Sequence, residues 1–122
     1  MNLSRLIFFA ASFCATLAFA ASPGEQKTIE GWVLDSACAY TKGLSKPVSR
    51  DCALACARKG SPLVILEDDG TLVLPVSEIM PAESQNAKLL PYAGERVSVT
   101  GKVYSKNGSQ AIVIQSIAKA NK

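Results

Sequence analysis

Sulfur carries the reactive chemistry of this sequence. Cysteines stand at positions 14, 38, 52 and 56, and the chain of 122 residues has no histidine. Without imidazole, Ser-His-Asp and Cys-His hydrolysis are excluded, as are histidine-built zinc or copper sites and c-type haem attachment. Cys52 and Cys56 lie four residues apart, so a helix through them turns both sulfurs to one face. Cys38 is the third partner, and the spacing C-x13-C-x3-C fits no standard zinc motif. Four outcomes follow for Cys38, Cys52 and Cys56. One is a disulfide from Cys38 to Cys52 or to Cys56, with the choice left open; closing a loop of about 15 residues is worth roughly 3 kcal/mol. A second is a three-thiolate cluster for copper(I), zinc or another thiophilic ion, with Asp35 or Asp51 as fourth ligand. A third is thiol-disulfide exchange, with a helix N-terminus and Arg50 lowering the pKa of Cys52. The last is buried free thiols acting as small hydrophobes.

Other polar and aromatic groups carry weaker signals. Glu67-Asp68-Asp69 is acidic but lacks the spaced ligands of a calcium loop, and it reads as a solvated turn. Trp32, Tyr40, Tyr92 and Tyr104 are candidates for a ligand-stacking face, against the commoner fate of core or edge packing. Asp35 with Glu30 or Glu95 shows no spacing that would mark a glycosidase pair.

The chain opens as a leader for export. Arg5 precedes an apolar run from Leu6 to Phe19, which ends in Ala18-Phe19-Ala20. This is the pattern signal peptidase cleaves, and the run is shorter than the span of about 20 residues that crosses a bilayer. Residues 1–20 are therefore expected to leave, taking Cys14 with them. Phe13 before Cys14 does not fit a lipobox. The mature product is expected to be a periplasmic or secreted protein with no transmembrane segment. Three cysteines then remain in an oxidising compartment, so at least one stays outside any intramolecular pair.

Loss of Arg5 leaves 12 basic residues facing 10 acidic ones, scattered along the chain. A nucleic-acid partner needs a concentrated basic face, so the composition speaks against one. About a hundred residues allow one domain and one core.

The elements that must position the sulfurs are short strands. Thr28–Asp35 reads as a first strand with a bend at Gly31, after a frayed terminus over 21–27. The cysteine stretch covers 36–60: a loop through Gly43 and Pro47, then a two-turn helix over Asp51–Arg58. That helix is capped by Ser49 or Asp51 and stopped by Gly60. Pro62–Leu66 is a strand buried on both faces, Leu72–Val76 returns with Pro75 at an edge or end, and Pro81–Pro91 holds a short helical turn. Arg96–Tyr104 alternates, with Val97, Val99, Gly101 and Val103 on one face. Asn107-Gly108 then turns it into Ala111–Ile117.

Five short antiparallel strands with a helix before the final pair predict a mainly β domain over 28–119, a small partly open barrel. The segments Gly31-Trp32-Val33-Leu34-Asp35, Pro62 to Val76 and Pro91 to Gly101 resemble small exported bacterial proteins that join an OB-like fold to a cysteine segment. That group has no settled function. In it a histidine stands three residues before the cysteine matching Cys52, and Ser49 occupies that place here. The resemblance implies a fold rather than an activity. The expectation is a non-enzymatic binding module of the cell envelope, stapled by a disulfide, meeting a small ligand or an envelope protein and needing no cofactor. The alternative is a soft-metal protein holding one ion with its three cysteines, and the third reading is a thiol-exchange protein.

Overall fold

The structure is a computed structural model and describes residues 24–43 and 48–121. The expected leader, Cys14 and the loop residue Pro47 lie outside the described residues. Among those described, no helix is long and apolar enough to cross a membrane.

The chain order is β1 (Glu25–Asp35), α1 (Ser36–Thr41), α2 (Arg50–Arg58), β2 (Leu63–Glu67) and β3 (Leu72–Pro75). It continues with α3 (Asn86–Leu89), a single 3-10 turn (Leu90–Tyr92), β4 (Arg96–Lys106) and β5 (Ser109–Lys119). The strands close into one barrel in the order β1-β2-β3-β5-β4. The domain is mainly β and five-stranded, as expected, but the barrel is closed rather than partly open. The seam is a parallel pairing of β3 with β5, Val73 opposite Gln110 and Pro75 opposite Ile112, so the strands are not all antiparallel. This strand order, with α3 between β3 and β4, is consistent with an OB-like barrel.

β1 is long because it serves two neighbours. Its first part pairs with β4, from Glu25 opposite Val103 to Trp32 opposite Arg96; its last part pairs with β2, from Gly31 opposite Glu67 to Asp35 opposite Leu63. Residues 25–27, expected to fray, are therefore strand. Both pairings meet at Gly31, where a side chain would run into the Leu66 carbonyl. Only glycine lets the backbones approach so closely there. Gly101 plays the same part on β4, against the Val113 carbonyl, at the register shift where the β4–β5 ladder bulges. Asn107 and Gly108 turn that hairpin with φ of 47° and 84°.

Alternation fills the barrel. Ile29, Val33, Leu63, Ile65, Val73, Val97, Val99, Ile112 and Leu89 form the main core, and Ala53 and Ala57 of α2 pack onto it. A second cluster joins Leu34, Val48 and Val64 on the outer face of β1 and β2, with Trp32, Leu66 and Leu72 against it. β2 is thus buried on both faces, as its unbroken apolar run predicts. The cysteine segment lies between β1 and β2 in the chain; α2 packs on the main core through Ala53 and Ala57, and Ala39 of α1 lies against the second cluster.

Candidate metal centre

Asp35 is the last residue of β1 and the N-cap of α1. Its carboxylate accepts the Cys38 N–H at 2.9 Å and the Ser61 hydroxyl at 3.4 Å. The cap turns α1 so that Cys38 faces inward, and both residues are buried, at 5% exposure for Cys38 and 1% for Asp35. Asp35 is buried because it ends a paired strand, where Ser36 N–H donates to the Pro62 carbonyl at 2.8 Å.

α2 brings the other two sulfurs. Ser49 caps it, accepting from Cys52 N–H at 3.3 Å, and Asp51 and Arg58 sit at the ends that suit their charges. The C-terminus is closed by Gly60 at φ 98°, with Ser61 N–H donating to the Cys56 carbonyl. Arg50 anchors the helix to the chain before β4, donating to the Ala93 carbonyl at 2.9 Å and lying 3.8 Å from Glu95. Gly94, at φ 75°, leaves room for that crossing: a Cβ there would stand 2.6 Å from the Arg50 Cα.

The result is a four-ligand cluster. One carboxylate oxygen of Asp35 and the sulfurs of Cys38, Cys52 and Cys56 all lie within 4.8 Å of one another and could hold a metal ion. A tetrahedral ion with metal–sulfur bonds of about 2.3 Å sets its sulfurs about 3.8 Å apart. The Cys38–Cys52 separation of 3.5 Å is close to that. Cys52 and Cys56 are half-buried, so the cluster has a solvent side through which an ion can enter.

The expected staple is not formed in the structure. Cys38, Cys52 and Cys56 are free thiols, and 3.5 Å between sulfurs exceeds the bond length of about 2.05 Å. The electrostatics follow from four acids sharing a small space. Hydrogen bonding to Asp35, then to Cys52, together with burial, pushes the Cys38 thiol up to about 12. Burial, then the charge of Asp35, pushes Cys56 up as well. Neither shift is the lowered pKa that an exchange nucleophile needs. The guanidinium of Arg50 is engaged by the Ala93 carbonyl and by Glu95.

Of the two aspartates considered as fourth ligand, Asp35 is in the cluster and Asp51 is exposed on the first turn of α2. The spacing of Asp35 and Cys38 is that of an N-cap and its third helical residue, and this is the signal that could have chosen between them.

The aromatic candidates do not form one face. Trp32 is half-buried against the second cluster, and Tyr92 packs on the main core with its hydroxyl donating to the Ile117 carbonyl at 3.4 Å. Tyr40 and Tyr104 line a surface groove of about 690 Å³ with Val64, Leu72 and Leu74. Tyr104 is also tied down, its hydroxyl donating to Glu78, which Lys102 meets at 3.2 Å. No protein-family model, curated protein or solved structure matches the chain.

Proposed function

We propose that this protein is an exported, non-enzymatic metal-binding module: an OB-like barrel that holds one soft ion, copper(I) or zinc, between Asp35, Cys38, Cys52 and Cys56. The observation that carries the reading is the convergence of four ligand atoms within 4.8 Å. They come from two helices and a strand end, and no histidine takes part. Thiolates select copper(I) and zinc over the hard cations, and one carboxylate completes a four-coordinate shell. Export would deliver the chain to a compartment where such ions are exchanged between proteins. The test is metal analysis of protein purified without oxygen. About one equivalent of zinc or copper(I) should be retained through dialysis, and Cys52→Ser should lose it. A reduced wild-type protein that retains neither ion refutes the reading.

The groove between Tyr40 and Tyr104 supports a second reading, a binding face for a small apolar ligand, because its walls include Val64, Leu72 and Leu74. An environment-sensitive apolar dye should bind native protein there and be lost on Leu74→Lys. Equal binding by both proteins refutes it.

A further inference from the structure

The three sulfurs are not equivalent as partners for one another. Cys52 and Cys56 sit at i and i+4 of α2, which holds their Cβ atoms about 5–6 Å apart. A disulfide needs about 3.5–4.5 Å between Cβ atoms, so these two cannot join without unwinding the helix. Cys38 comes from a different element and touches Cys52 at 3.5 Å, roughly 1.5 Å longer than a bond. The i, i+4 restraint that keeps Cys52 from Cys56 does not act between Cys38 and Cys52, which lie on separate helices. The two also differ in access: Cys38 is 5% exposed, whereas Cys52 is half-buried on the first turn of α2.

We infer that Cys38 and Cys52 form a redox gate on the metal site: their oxidation to a disulfide ejects the ion and leaves Cys56 as a thiol. The inference rests on the metal reading and adds its regulation. The oxidant is a low-molecular-weight disulfide, a class suited to an oxidising compartment. The accessible Cys52 thiolate attacks one sulfur of the oxidant, forming a mixed disulfide and expelling one thiolate. The Cys38 thiolate then attacks the Cys52 sulfur, forming the internal bond and expelling the second thiolate. Two electrons pass from the protein sulfurs to the oxidant. In the metal-loaded protein both attacking groups are already thiolates, so the charge they lose appears on the two thiolates released. A disulfide sulfur is no longer the anionic ligand that a metal requires. Only Cys56 and Asp35 then remain of four ligands, too few for a closed site.

The experiment loads reduced wild-type protein with zinc, adds oxidised glutathione, and follows zinc with a chromogenic chelator. The same samples are alkylated and mapped by peptide mass. Zinc release should track the loss of two alkylatable thiols among Cys38, Cys52 and Cys56, and the cross-linked peptide should join Cys38 to Cys52. Cys56→Ser should still cross-link and Cys52→Ser should not. Zinc retained after the cross-link forms overturns the gate and leaves the metal reading standing. A cross-link from Cys38 to Cys56, or zinc released with no cross-link, also overturns it. If reduced protein binds neither zinc nor copper(I), the metal reading fails and the gate with it. The mapping on metal-free protein then separates that result from a wrong pairing.

Discussion

Asp35→Asn separates the two tasks of Asp35, capping α1 and completing the cluster. The carboxylate accepts the Cys38 N–H at 2.9 Å and the Ser61 hydroxyl at 3.4 Å. Both bonds go to the same oxygen, Oδ2, which asparagine keeps as its amide oxygen, and asparagine caps helices as well as aspartate does. Metal-free stability should therefore change by less than about 1 kcal/mol. The metal-dependent part should change far more, because a neutral amide replaces an anionic ligand. Loss of a residue that merely supports a ligand already lowers metal affinity about 10–100-fold, so a direct ligand should cost at least that. With free metal at about 1,000 times Kd, the ion adds about 4.1 kcal/mol of stability. A hundredfold loss of affinity removes about 2.7 kcal/mol of it. For a domain of this size that is a Tm lower by roughly 11–22 °C in the presence of metal. The assay is thermal unfolding of reduced wild type and Asp35→Asn, each with chelator and with excess zinc. An equal zinc-induced rise in both proteins refutes the assignment of Asp35 as ligand. A metal-free variant destabilised by several kcal/mol shows that the cap dominates and that asparagine does not replace it.

The metal-free, reduced protein should lose stability as pH rises. The Cys38 thiol is held at about 12 when folded, against an ordinary value of 9.0. Between these values the folded chain keeps a proton that the unfolded chain has released, so this contribution is complete below pH 9 and fades towards 12. Thermal melts across pH 8 to 11 should fall more steeply for wild type than for Cys38→Ala; parallel curves exclude the effect. Gly101→Ala places a Cβ against the Val113 carbonyl and should cost at least the roughly 1–3 kcal/mol of an overpacked core. Its Tm should drop by at least about 4 °C, and an unchanged melt means that the bulge relaxes at no cost. Amide hydrogen exchange should slow in α2 when zinc binds, with little change in β4 and β5, which carry no ligand. Uniform slowing along the chain would show that the ion acts elsewhere.

Local pattern was legible and non-local closure was not. The β4–β5 hairpin could be read from alternation and Asn107-Gly108 because both are properties of adjacent residues. α2 could be read for the same reason, from Ser49 at one end and Gly60 at the other. The parallel seam of β3 with β5 joins Val73 to Gln110, far apart in the chain with α3 and β4 between them. No local pattern encodes such a pairing, so the strand pattern alone predicts a partly open barrel. α1 is six residues long, too short for a helical period to show, so the role of Asp35 as its cap was hidden. Residue type and spacing mark the three sulfurs as candidates together. Their meeting depended on α1 turning Cys38 inward, which only the assembled strand end determines.

The placement of the cluster follows from how little else holds α2. The helix has nine residues, short for independent stability, and the side chains it buries fully are Ala53 and Ala57. Two methyl groups bury little apolar area, far less than the leucine or valine faces that fix the barrel strands. Leu54 packs only at the margin of the core, and the remaining ties are polar, with Arg50 on the Ala93 carbonyl chief among them. With α2 anchored so lightly, an ion held by Cys52 and Cys56 should add to what fixes it relative to β1. The ion, the Cys38–Cys52 bond and the thiol form should therefore leave the barrel alike and differ in how firmly α2 is held. Hydrogen exchange should therefore differ among the three forms in α2 and stay alike in the barrel strands.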